Sequence, residues 1–92
     1  MKKYSNIEIQ TAMKTLNNWI LNEDKIEKKF QFKDFSEALA FIVRIGVLAE
    51  KQNHHPELCN IYNKVTIALT THDVSGLSDK DFLLATSIDA IS

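Results

Sequence analysis

Apolar residues near the start of the chain recur at helical spacing. Ile9, Ala12, Met13 and Leu16 fall at i, i+3, i+4 and i+7, one face of a 3.6-residue helix. Ser5 and Glu8 just ahead fit a reciprocal capping box, so the pattern predicts a helix over residues 6 to 17. Asn17 and Asn18 stop it, because Asn tolerates the left-handed conformation that ends many helices. Trp19 to Leu21 reads as a short strand and Asn22-Glu23-Asp24 as a turn. From Lys25 to Phe32, Ile26, Phe30 and Phe32 share one parity while Glu27, Lys29 and Gln31 take the other, the alternation of a half-buried strand. Lys28 breaks this alternation, which places it near a sheet edge.

Asp34 and Glu37 repeat the capping-box pattern, and Phe35, Ala38, Leu39, Ile42, Ile45 and Ala49 draw an apolar stripe along a second helix ending near Gln52. Phe41 and Leu48 lie off that stripe and mark a second apolar face for another surface or a partner chain. Pro56 cannot continue the helix and pushes His55 out of helical geometry. Residues 58 to 62 then read as a strand, Tyr62-Asn63-Lys64 as a turn, and the alternating Val65, Ile67 and Leu69 as the returning strand. Gly76 marks a further turn. Ser78 and Asp81 cap a last helix whose inward face is Leu84, Ala85, Ile88 and Ile91. The fold class is therefore α+β, a four-stranded antiparallel sheet with three helices packed on one face, in the order α-β-β-α-β-β-α.

Composition narrows the function classes. At 92 residues, with 45% hydrophobic and 25% charged positions, residues 1–92 are expected to form a single domain. A net charge of −1 supplies no positive field to draw the chain to nucleic acid or to an acidic membrane. No apolar segment follows Lys2 and Lys3, and the longest unbroken apolar run is Ala38 to Val43, so neither secretion nor membrane insertion is encoded. The lone Cys59 cannot form an internal disulfide and suits a cytoplasmic protein. It reads as a small buried hydrophobe in a strand, and Trp19 and Tyr62 read as packing anchors.

The candidate chemistry lies in the histidines. His54, His55 and His72 are all in one stretch of the chain. Opposed residues of an antiparallel hairpin have a constant index sum, so a reversal near residue 63 or 64 sets His72 against His54 or His55. Imidazole titrates near ~6.5, so such a cluster can both donate and accept protons near neutrality. A metal site is the rival reading, but there is no H-E-x-x-H or C-x-x-C spacing, and adjacent histidines on a tight corner point apart. Gly46 and Gly76 are isolated and form no phosphate-cradling loop. Glu50, one helical turn before His54, is placed to accept a ring N–H from it. Asn53, Thr70, Thr71 and Asp73 flank the histidines with polar groups for a ligand.

The run Glu50-Lys51-Gln52-Asn53-His54-His55-Pro56-Glu57 is followed by Tyr62-Asn63-Lys64-Val65, by Thr70-Thr71-His72-Asp73, by Gly76-Leu77-Ser78 and by Asp81. It is preceded by Phe30-Gln31-Phe32-Lys33-Asp34-Phe35. From about Trp19 onward this pattern resembles the pterin-4a-carbinolamine dehydratase family. The resemblance implies a cytosolic enzyme without metal or cofactor that removes water from a 4a-hydroxytetrahydropterin to give the quinonoid dihydropterin, in tetrahydrobiopterin recycling. It implies that His54 and His72 are the acid-base groups and that His55 holds the pterin. Asn53, Thr70, Thr71 and Asp73 would line the pocket, with Pro56 from the same run beside the substrate and Glu50 supporting the site. It further implies a homodimer or homotetramer. Some animal members stabilise the dimer of a transcription factor, so a non-enzymatic coactivator role is the alternative. Two positions depart from part of the family: Asn53 replaces an acidic residue and Leu58 an aromatic one.

Overall fold

A computed structural model describes residues 1–92. Helix α1, Asn6–Met13, begins at the expected capping box: Ser5 Oγ accepts the Glu8 N–H at 3.2 Å and Glu8 Oε1 accepts the Ser5 N–H at 2.8 Å. It ends four residues before the expected stop. Beyond Met13 the amides of Thr15 and Leu16 bond carbonyls three residues back, Ala12 and Met13, so the chain tightens out of α geometry while the apolar period runs on. Asn18, at φ 65°, supplies the left-handed residue.

Helix α2 is Phe35–Gln52, and Asp34 accepts the Glu37 N–H at 2.9 Å. The reciprocal bond of a capping box is absent, because the Glu37 carboxylate takes the Lys33 N–H instead, at 3.2 Å. The buried stripe is Ala38, Phe41, Ile45 and Ala49, rotated from the expected one. Phe41 belongs to the core, its ring 4.9 Å from that of Phe30 and 4.8 Å from that of Phe32. Phe35 and Leu39 face outward, and Leu48 is half-buried against the core. Helical spacing fits either stripe; the Phe30 and Phe32 rings across the core select the one carrying Phe41. Helix α3, Asp79–Ile91, starts at Ser78 with the capping box to Asp81 formed in both directions, and buries Leu84, Ala85 and Ile88.

The strands are β1 (Ile20–Asn22), β2 (Lys25–Gln31), β3 (Glu57–Ile61) and β4 (Lys64–Leu69). They form one antiparallel sheet in the order β1-β2-β4-β3. The most apolar strand, β4, is interior: Val65, Ile67 and Leu69 are fully buried under α2 and α3 together with Ile26 of β2. Its other neighbour, β3, is an edge, and Cys59 on it is exposed rather than buried, paired with Thr66. Tyr62 anchors no packing either; it is 63% exposed in the hairpin turn, with φ 52°.

Lys28 lies in the ladder opposite Ile67 just past the end of β1. Its ammonium crosses to the Asp89 carboxylate of α3 at 2.8 Å, 5.0 Å from the Phe30 ring centre. The same carboxylate accepts the Trp19 indole N–H at 3.0 Å, so an apparent break in the strand alternation is a polar tie between sheet and helix. No helix is long and apolar enough to cross a membrane.

Candidate active site

Two chain reversals bring the histidines together. Asn53 ends α2 in the left-handed conformation (φ 50°, ψ 44°), which Asn tolerates, and the His54 N–H returns to the Ala49 carbonyl at 3.1 Å. After β4, Thr71 bridges to Gly76 and closes a tight loop around the 3-10 turn His72–Val74. The hairpin pairs Glu57 with Ala68 and Ile61 with Lys64. Its centre therefore falls between Tyr62 and Asn63, just short of the expected one, and the ladder projects His72 opposite Asn53. The small offset leaves the outcome intact: His54, His55 and His72 line one cleft of about 250 Å³.

Asn53, Thr70, Thr71 and Asp73 share that lining, and Met1 and Lys80 join it without having been anticipated from the sequence. Glu50 and Pro56 are not on it. Glu50 also takes a different partner from the expected one, since its carboxylate is 2.7 Å from His55 Nε2 in a largely exposed pair. The corner at Asn53 turns His55 back toward the last helical turn and sends His54 inward.

His54 is held by a residue that sequence reasoning treated only as a cap. Its Nε2 lies 2.6 Å from Asp81 Oδ1, and Asp81 has no exposed surface. The other oxygen, Oδ2, accepts the Thr71 hydroxyl at 2.7 Å and the Ser78 N–H at 3.0 Å. An acceptor saturated in this way requires the proton of His54 on Nε2. In the neutral ring Nδ1 then has a free lone pair. No buried side-chain nitrogen or oxygen lacks a partner, and Nδ1 bonds nothing in the protein, so it opens to the cleft that His54 lines. The sequence signal for this pairing was confined to the capping carboxylate, whose second oxygen a cap leaves free.

The hydroxyls of both threonines are committed to the protein. Thr70 donates to the Asp24 carbonyl at 2.7 Å, and Thr71 donates to Asp81. They fix the loop carrying His72, whose imidazole is exposed and bonds no other side chain. The site thus combines an imidazole of fixed tautomer, an imidazole free to turn and an imidazole tied to a surface carboxylate. No three His, Cys, Asp or Glu side chains are gathered as a metal-ligand set.

Residues 2–91 match the family model described as pterin 4 alpha carbinolamine dehydratase. A protein of Synechococcus sp. (strain WH7803), provisionally named pterin-4-alpha-carbinolamine dehydratase, is 51% identical over 91% of this chain and 90% of its own length. A Sulfurisphaera tokodaii protein with the same provisional name is 43% identical over 99% of this chain and 98% of its own. The crystal structure of a transcriptional coactivator/pterin dehydratase from Brucella melitensis superposes with a TM-score of 0.94 at 35% identity, covering 98% of both chains. A pterin dehydratase-like protein identified as a RuBisCO assembly factor in the alpha-carboxysome shares the fold, with a TM-score of 0.70 at 22% identity over 82% of this chain and 89% of its own. With its family-wide match and its close likeness across the whole sheet-and-helix framework, this chain belongs to the pterin-4-alpha-carbinolamine dehydratase family.

Proposed function

We propose that residues 1–92 act as one catalytic domain that dehydrates a 4a-hydroxytetrahydropterin to the quinonoid dihydropterin, serving tetrahydrobiopterin recycling in the cytoplasm. The observation that carries this reading is the buried His54–Asp81 pair presenting a free ring nitrogen to a cleft shared with two further imidazoles. The elimination needs one proton taken from N5–H and one given to the 4a-hydroxyl. His54 Nδ1 accepts the N5 proton, and the N5 electron pair forms the C4a=N5 double bond. The C4a–O bond breaks as His72 protonates the departing oxygen, and water leaves. Such a positioned acid-base pair contributes about 10²–10⁴-fold. His55 holds the pterin, oriented by Glu50. Asn53, Asp73 and the Thr70-Thr71 backbone border the ring, with Pro56 shaping the wall behind His55.

Stopped-flow dehydration of freshly generated 4a-hydroxytetrahydropterin tests the reading. Acceleration above the spontaneous rate is expected, with losses in His54→Ala and His72→Ala that leave the fold unchanged. A spontaneous rate unaltered by the protein would end it in favour of a binding role such as coactivation. Activity abolished by a chelator and restored by zinc would replace it with metal chemistry.

The outer face of α2 supports self-association as a second reading. Phe35, Leu39, Val43 and Val47 recur every fourth residue and are 43–67% exposed, an apolar row suited to a copy of itself in a dimer or tetramer. Sedimentation equilibrium of the protein and of Val43→Glu distinguishes that assembly from a monomer.

A further inference from the structure

The cleft is unusually polar for a flat bicyclic ligand. Sites for small molecules are mostly apolar, with a few polar groups that fix orientation, yet every lining residue here except Met1 is polar or charged. Polar groups serve the edges of a ring, while its faces need apolar cover. Met1 reaches the lining along a short segment held against the loop that follows His72. The Tyr4 N–H donates to the Leu77 carbonyl at 2.7 Å, and the Tyr4 ring stacks on Phe82, centroids 5.5 Å apart and planes 12° from parallel. The Lys3 stem crosses Gly76, and the Lys2 ammonium reaches Glu8 of α1 at 2.9 Å. Gly76 does not have a positive φ; the left-handed residue of that loop is Ser75, at φ 52°. Close approach is what asks for glycine at 76, because a Cβ there would stand 2.7 Å from Lys3 Cε and 3.4 Å from Lys3 Cγ and Cδ. The segment is thus seated between His72 and Asp81, fixed at Tyr4 and exposed beyond it, Met1 being 61% exposed. Three residues at ~3.3–3.6 Å each give Met1 a reach of roughly 10 Å from that anchor.

We propose that residues 1–4 form a strap that closes over the cleft, with Met1 covering one face of the bound pterin ring. This rests on the dehydratase reading for the identity of the ring and adds a ring-positioning residue to it. A thioether suits the task, since its unbranched chain adapts to a ring face and its sulfur makes favourable contacts with aromatic systems. The anchor at Tyr4 stays in place, so closure orders only the three residues beyond it.

Methionine-methyl NMR of the whole protein reads the contact apart from turnover. The chain has two methionines, and the second, Met13, packs against the core and serves as the reference. On saturation with a fully aromatic pterin bearing a neutral side chain, the Met1 methyl is expected to move upfield, the ring-current direction above a ring face, while the Met13 methyl stays. Histidine ring protons report occupancy of the cleft independently. Histidine signals that move while the Met1 methyl stays or moves downfield would overturn the strap and leave the pterin site standing; no movement at either would remove both. Gly76→Ala, which lifts the Lys3 stem, should weaken binding of the same pterin about threefold, within the range of one thioether–ring contact. Adding Lys3→Ala should restore the affinity, because the clash is then gone. Unchanged binding in Gly76→Ala, or a loss that Lys3→Ala does not restore, would overturn the inference, the latter by tracing the effect to the loop carrying His72. An upfield Met1 shift with the Lys3→Ala rescue, together with an unaccelerated dehydration rate, would uphold the strap and remove the dehydratase reading.

Discussion

His54 Nε2 and Asp81 Oδ1 meet at 2.6 Å across 27 residues of sequence, joining the second residue past the end of α2 to the third residue of α3. The contact unites two local devices, a left-handed helix stop and a capping box, in one hydrogen-bonded unit. The capping box fixes Asp81 through Ser78 N–H, Asp81 fixes the imidazole, and the imidazole lines the cleft. Folding of the α3 N-terminus and setting of the His54 tautomer are therefore the same event.

Asp81→Asn separates shape from chemistry. The Ser78 N–H and the Thr71 hydroxyl hold the amide oxygen on their side, so the amide NH₂ faces His54. Nε2 must then accept, and the ring proton moves to Nδ1, in the cleft. The base becomes a donor, and turnover should fall by about 10²–10⁴-fold with the far-ultraviolet circular dichroism retained. Wild-type turnover in stopped-flow assays would show that the Nδ1 lone pair does not do the work.

Glu50→Gln should have a far smaller effect. Glu50 and His55 are 79% and 61% exposed at the side chain, and exposed pairs of this kind contribute about 0–1 kcal/mol, equivalent to at most roughly fivefold in binding. The expected change is a modest rise in KM with kcat retained. A loss as large as that of Asp81→Asn would mean that the outer pair, not the buried one, drives the reaction.

Local signals account for what could be read in advance. Both serine capping boxes, the stop at Asn53 and the alternation of Val65, Ile67 and Leu69 depend on residues a few positions apart, and these fix the order of elements and bring the histidines to one sheet end. Misreadings arose where a distant partner decides. The α2 stripe depends on Phe30 and Phe32 across the core, the exposure of Cys59 depends on β3 being an edge, and Lys28 depends on Asp89. Asp81 was legible as a cap, but its bond to His54 is long-range, and nothing near residue 54 announces it. Met1 and Lys80 carry no motif; only their placement on the cleft singles them out.

The α1 capping box makes a pH prediction. Hydrogen bonds from the Ser5 N–H and from Lys2 hold the Glu8 carboxyl below its ordinary value of 4.5. A carboxyl depressed in the folded state stabilises that state fully above its unfolded value, and the contribution disappears as pH falls through the folded one. Amide exchange protection at the start of α1 should therefore be constant near neutrality and decline below about pH 4.5. Glu8→Gln should be less protected at neutral pH and show a flatter acid limb. An acid limb of the same slope in both proteins would place the responsible carboxyl elsewhere.

The Lys28–Asp89–Trp19 tie should contribute more stability than the other ion pair on the sheet. Lys28 and Asp89 side chains are 13% and 26% exposed, against 35% and 52% for Lys25 and Glu57. Asp89→Ala strands a largely buried ammonium and an indole N–H, at a cost of about 2–3 kcal/mol. Lys25→Ala should cost no more than about 1 kcal/mol. Pairing Asp89→Ala with Lys28→Met removes the stranded charge and restores apolar packing against the Trp19 and Phe30 rings, so the double variant should recover part of the loss. Urea denaturation followed by Trp19 fluorescence measures the wild type, Lys25→Ala, both single variants of the pair and the double variant on one scale, provided the m-values agree. A double variant as unstable as the sum of its singles would show that the two side chains act independently and that the tie is packing rather than charge.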